Sequence, residues 1–219
     1  MASGRRRALA RELTVGRQAF LAGIFTGAHA VVYMVGNHWP VSEPRLLPMT
    51  AIDTWTPFLP ATVFVYLSDY LLAFVAFMSL ERRESVHRFL WVFMTCVGVA
   101  GVVHWGFPTT YPRENFPIPQ DAHLMSQWAL RALRFFDSPN SCLPSLHVAT
   151  ATGSAVLVYR ENRKLSGRLF AWAMAVCAST LTAKQHYLVD VLAGWLMLVV
   201  VLFVVDAVRD RRRRGEALA

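Results

Sequence analysis

Charge is scarce in this chain. Asp, Glu, Lys and Arg make up 16% of it, where soluble domains carry about a quarter. With 55% hydrophobic residues, that scarcity argues against a soluble domain. Acidic residues are rarer than basic ones, which leaves a net charge of +8. A basic balance can signal nucleic acid, but nucleic-acid binders spread their charge over a polar folded surface. Here the arginines form short clusters between long apolar runs, so no nucleic-acid partner is expected. Cysteine is rarer still. There are three, an odd number whose spacing matches no disulfide or zinc framework. Cys96 and Cys177 lie in apolar runs and Cys142 in a loop, and all three read as structural. Neither H-x-x-x-H nor C-x-x-C occurs at the candidate metal residues, and there is no internal repeat. A cleaved signal peptide is not expected either. Arg5-Arg6-Arg7 resembles a charged leader and Ala28-His29-Ala30 a cleavage site, but the apolar run continues to Val35, long enough to span.

What the chain does have is six long apolar segments, at roughly 17–36, 58–80, 88–107, 143–160, 166–183 and 187–207. A bilayer core of about 30 Å takes about 20 helical residues. Only helices or closed barrels can span it, and these runs do not alternate. The expected fold is therefore an all-α integral membrane protein, one domain over residues 1–219, with six transmembrane helices. Seventeen of the twenty-two Lys and Arg residues fall in one alternating set of loops and tails; the other set holds Arg45, Arg113, Arg131, Arg134 and Lys184. The excess of positive charge inside puts both termini in the cytoplasm, as in a bacterial inner-membrane protein. Two proline-rich loops, about 37–57 and 108–142, then lie outside. In the second, Asp121 to Phe136 mixes Leu124, Trp128, Leu133, Phe135 and Phe136 with Arg131 and Arg134. That pattern suits an amphipathic helix in the interface, or equally a loop helix packed on the bundle.

Polar residues collect in three stretches, at 107–113, 140–147 and 179–190, all at outer ends of helices by this topology. His186 and Asp190 are four residues apart, which on a helix puts them on one face. A carboxylate on one imidazole nitrogen leaves the other free as nucleophile; the same pair could simply tie helices together. His147 follows Pro144 and Ser145 at a helix start, where free amides favour an anion, and it could protonate a leaving oxygen or serve only as an interfacial residue. Arg113 and Lys184 lie outside, beside the histidine segments, where phosphoryl transfer needs positive charge. Two other readings stand beside this one. Zinc could be held by His147, His186, Asp190 and His104, though the spacing gives no support. A transporter could relay protons through His29, Asp69 and His104, though no broken-helix repeat is visible.

The three stretches resemble the type 2 phosphatidic acid phosphatase superfamily, and look most like its branch containing inositol phosphorylceramide synthases. The family's P-S-G-H is matched by Pro144-Ser145-Leu146-His147. Its S-R-x5-H-x3-D is matched by Ser179, His186 and Asp190, and its K-x6-R-P only by Arg113. Gly106, Glu114, Leu146 and Thr180 stand where the family has Lys, Pro, Gly and Arg. The resemblance implies a lipid phosphate substrate within the bilayer and no cofactor or metal. It also implies a covalent mechanism in which His186 is the nucleophile, Asp190 orients it and His147 is the acid. Arg113, Ser145 and nearby amides would bind phosphate, with Lys184 compensating for the missing family cations. A lipid phosphatase at the outer face is the first expectation and a head-group phosphotransferase the alternative. A transporter or scaffold is the reading from another class.

Overall fold

The computed structural model describes residues 14–218, with side chains described to residue 214; Arg5, Arg6, Arg7 and Arg11 of the topology argument lie outside that range. The chain forms helix α1 (Val15–His38), a short α2 (Ala51–Trp55), α3 (Val63–Leu67), α4 (Asp69–Met78) and α5 (Arg83–Gly106). Then follow α6 (Leu124–Phe136), α7 (Leu146–Val158), α8 (Arg163–Thr182) and α9 (Leu188–Leu218). Two-residue strands β1 (Arg45–Leu46) and β2 (Thr109–Thr110) pair in parallel and stitch the 37–57 and 108–142 loops together.

Among the described residues, four stretches are long and apolar enough to cross a membrane: Val15–His38, Pro60–Met78, Arg83–Gly106 and Leu188–Arg214. The other two expected spans differ. Helix α7 has 13 residues, a rise of about 20 Å, short of a bilayer core of about 30 Å. Helix α8 has the length, at 20 residues, but begins with Arg163, Lys164 and Arg168. The second span is also not one helix. It is interrupted at Ser68, between α3 and α4, where the Ser68 hydroxyl donates to the Val65 carbonyl at 2.6 Å and accepts from Trp172 Nε1 at 2.7 Å.

Helix α7 is the axis of the bundle. Ten of its thirteen residues are buried, and it packs most extensively on α8 while also meeting α4, α5 and α9. Its small residues allow this: a Cβ on Gly153 would sit 3.0 Å from Leu198 Cδ1 on α9. Phe89, Phe93 and Val97 of α5 and Leu72 of α4 complete the core around it. Helix α1 crosses α5 closely through Gly36 and Gly101, where an added Cβ on Gly101 would come within 2.4 Å of Val32 Cγ1. At the end away from the polar stretches, Arg88 of α5 forks onto Asp206 of α9 through Nε and Nη2, each at 2.7 Å.

Candidate active site

The polar stretches meet at one end of the bundle, where α7 and α9 both begin. Ser145 caps α7, its Oγ accepting from the Val148 amide at 3.4 Å. The start of α9 lies directly against it: the Ser145 amide donates to the Asp190 carbonyl at 3.1 Å. That approach depends on Gly194, where a Cβ would fall 2.6 Å from the Ser145 carbonyl oxygen. Only a residue without a Cβ lets the two helix starts come this near.

His186 is not on a helix. It precedes α9, and Asp190 stands in that helix's first turn. The expected shared helix face is therefore replaced by a helix start, where Asp190 Oδ2 accepts from the Tyr187 amide at 2.8 Å. A carboxylate here is favoured by the exposed amides of the first turn. His186 Nδ1 lies 3.1 Å from the Cys142 carbonyl and 3.4 Å from Asp190 Oδ2. Both neighbours are acceptors, so they select the tautomer with hydrogen on Nδ1 and leave Nε2 with a free lone pair. Asp190 is fully buried, and its Oδ1 has no partner among the described residues.

His147, on the second residue of α7, faces His186 with ring centroids 5.9 Å apart. Its ring stacks on Tyr66 at 4.2 Å, and its Nδ1 is 3.2 Å from the Tyr66 hydroxyl. His104 sits behind: its Nε2 is 3.1 Å from the Pro144 carbonyl, bracing the turn that enters α7.

His147, His186 and Arg113 line one small pocket with Tyr33, Tyr66, Asp137 and Gln185. The guanidinium of Arg113 is taken by Asp137, with Nη2 to Oδ2 at 2.8 Å and Nη1 to the Asp137 carbonyl at 2.5 Å. Asp137 also accepts from the Tyr33 hydroxyl and, at 3.3 Å, from Asn37 Nδ2. Asn37 Nδ2 donates to the Ser138 carbonyl as well, at 2.6 Å, so α1 anchors the loop that presents Asp137. The free space inside is about 10 Å³, room for at most one water. Arg113 is thus committed to Asp137 in this arrangement.

Two expected phosphate ligands, Ser145 and Lys184, do not line this pocket. Lys184 is buried elsewhere, its Nζ donating to the carbonyls of Asp53 at 2.9 Å and Thr56 at 2.6 Å. Burial lowers its pKa, which Asp53 partly offsets. The cause is local backbone: Lys184 has φ of 54°, a left-handed turn that directs its side chain toward the α2 loop. Asp53 works with it, accepting the Leu188 amide at 2.7 Å and so securing the start of α9.

Cys142, His186 and Asp190 bring ligand-type atoms within 4.8 Å of one another. Burial pushes the Cys142 thiol up, and the thiol donates to the Pro139 carbonyl at 3.1 Å. The wider zinc set is not assembled as such, because His104 is turned to Pro144.

Beside the pocket lies a cavity of about 610 Å³, mostly apolar, between α1, α3, α4, α6 and α7. His147, Tyr33, Tyr66 and Asp137 line both spaces, so the two adjoin. Asp137, Tyr33, Asn37, Tyr66 and Asp53 are site residues that motif reasoning passed over. The visible signal was polarity at the end of an apolar run, as at Tyr33 and Asn37.

The family model described as the PAP2 superfamily matches residues 57–204. The chain belongs to the PAP2 superfamily. It is thereby a membrane enzyme of phosphatase type, with His147, His186 and Asp190 all inside the matched region. No curated protein matches the chain. Among solved structures, LpxE of Aquifex aeolicus is similar at 16% identity over 80% of this chain and 93% of its own, with a TM-score of 0.45. The assignment rests on the family match.

Proposed function

We propose that the protein is a lipid phosphatase that hydrolyses a lipid phosphate at the outer membrane face through a phosphohistidine. The observation that carries this is the His186 ring, held at Nδ1 by two acceptors and facing His147 across a pocket that holds Arg113. Nε2 of His186 attacks phosphorus, and the bond from phosphorus to the lipid oxygen breaks. His147, protonated on both nitrogens, gives its Nε2 proton to that oxygen and is left neutral, its Nδ1–H donating to the Tyr66 hydroxyl oxygen. Asp190 and the Cys142 carbonyl hold the Nδ1 proton of the positively charged phosphohistidine. Water then attacks phosphorus, His147 takes its proton back, and phosphate leaves with His186 restored. Arg113 is the cation for the equatorial oxygens once Asp137 releases it. The apolar cavity suits the lipid's chains.

The reading includes six spans, with the largely buried α7 crossing beside α8, and both termini in the cytoplasm. It also places α6 in the interface. Helix α6 buries Ser126 and Leu130 while leaving Leu124, Met125, Trp128, Phe135 and Phe136 exposed, as suits a helix against lipid. A second reading, head-group transfer, is favoured by one observation. Among the described residues, the only guanidinium lining the pocket is already neutralised by Asp137, which suits a singly charged phosphodiester better than a dianionic monoester.

The test is turnover by the purified protein with EDTA present, given in turn phosphatidic acid, isoprenyl diphosphate, and ceramide with phospholipid. Release of phosphate, with an acid-labile phosphoenzyme absent from His186→Ala and activity reduced at least about a thousandfold, is the expected result. A new phospholipid supports transfer. Activity lost with EDTA and restored by zinc would defeat the metal-free mechanism.

A further inference from the structure

One turn beneath the reacting groups lies a second polar tier that the chemistry above does not use. Three separate elements build it. On α1, His29 precedes Tyr33 by one turn. On α4, Asp69 follows Tyr66 by three residues. On α7, Thr150 follows His147 by three. Tyr33, Tyr66 and His147 form the upper tier around Asp137 and His186. His29, Asp69, Tyr70 and Thr150, with Tyr33, Leu146 and His147, enclose a recess of about 20 Å³ that shares six of those seven residues with the large cavity.

Asp69 is the anomaly in this tier. It is 3% exposed, and its Oδ1 is buried with no hydrogen-bond partner among the described residues. A carboxyl oxygen left unmatched at the centre of an apolar span is destabilising. Such a group in a ligand cavity is an acceptor waiting for a donor. The helical rise puts it about 5 Å deeper than the reacting tier, a few bonds from a phosphorus held at His186.

We propose that Asp69, flanked by His29 and Thr150, is a recognition subsite for a hydrogen-bond donor on the lipid alcohol, a hydroxyl or an amide N–H close to the phosphate. This rests on the reading that the cavity holds the lipid of a phosphoryl-transfer substrate. The substrates singled out are lipids whose alcohol keeps a free donor near the phosphate. Fully esterified or isoprenoid lipids offer no such donor.

The test uses the full-length protein in detergent and three chain-matched phosphates: an alkyl phosphate with no donor, an alkylglycerol phosphate with a free hydroxyl, and its acetamido analogue. The wild type should prefer a donor-bearing substrate by about tenfold or more in kcat/KM, and the better of the two identifies the donor. Asp69→Leu should collapse that ratio toward one, while Asp69→Asn, which keeps an acceptor oxygen, should retain much of it. A wild-type ratio near one, or one that Asp69→Leu preserves, overturns the proposal. Thermal stability measured with the corresponding phosphate-free lipids is the second readout. The donor-bearing lipids should raise the wild-type Tm above their O-methyl or N-methyl controls, and Asp69→Leu should abolish the difference. If no phosphate is turned over, the phosphatase reading fails, and the thermal comparison still decides the subsite. Equal shifts with donor and capped lipids mean that the recess holds water only and the subsite does not exist.

Discussion

Asp137 and Lys184 show how much of this site turns on what single side chains touch. Asp137 holds Arg113 at 2.8 Å in a pocket with almost no free volume. The same carboxylate would face any incoming phosphate oxygen. Asp137→Asn keeps the shape but removes the charge, and at this distance that is worth roughly tenfold in anion affinity. Inhibition by inorganic phosphate or vanadate should tighten by about that factor. A fall in transfer to an added alcohol, with hydrolysis preserved, would instead mark Asp137 as the group that accepts the alcohol's proton. Lys184 makes the opposite case. Its ammonium is committed to the carbonyls of Asp53 and Thr56, so Lys184→Met should destabilise by about 1–3 kcal/mol through the orphaned carbonyls. KM should change little, and thermal unfolding alongside Michaelis kinetics checks both. A large rise in KM without a fall in Tm would return Lys184 to the phosphate-binding role its place in the motif suggests.

Elements position these groups by where helices begin. Helices α7 and α9 start side by side because Ser145 donates to the Asp190 carbonyl and Gly194 leaves room for the contact. Gly194→Val places carbon against a backbone oxygen, which flexible side chains cannot relieve. The two helix starts must then separate. Overpacking of this kind destabilises by about 1–3 kcal/mol, and a shift of about 1 Å in reacting groups can lower turnover about a hundredfold. Circular dichroism should report a folded protein while kcat falls. Normal turnover in Gly194→Val would mean that the close approach does not set the His147–His186 geometry. Helix α1 contributes similarly at a distance, since Asn37 ties down the Asp137 loop from 100 residues away.

The whole molecule joins a small polar pocket to a large apolar cavity walled partly by α6. If the cavity holds lipid chains, narrowing it should discriminate by chain length. Ala129→Trp, on the wall that α6 contributes, should raise KM about fivefold or more for long-chain substrates, since each buried methylene is worth about 0.8 kcal/mol. Short-chain analogues should be turned over at close to the normal rate. An equal effect on both would place the chains elsewhere.

Much of this was legible in the sequence because it depends on local composition. The apolar runs mark the long helices, and Arg113, His147 and His186 do converge on one pocket. Hydropathy is a property of neighbouring residues, and a bilayer constrains helix ends to its two faces, so polar ends can be grouped without knowing the packing. Three-dimensional partnership decided the rest. Adjacency to His186 suggested a phosphate ligand in Lys184, but a left-handed turn sends it to the α2 loop. Four-residue spacing suggested a helical His186–Asp190 pair, but α9 starts only at Leu188. Asp137 carried no motif at all, and its hold on Arg113 exists only because α1 brings Tyr33 and Asn37 across the bundle to the same carboxylate. The sequence by itself determined the kind of molecule and pointed to the histidines that gather at the pocket, because hydrophobicity and motif spacing are written along the chain. Which charges meet which was decided by tertiary packing, because those partners are neighbours only after the helices assemble.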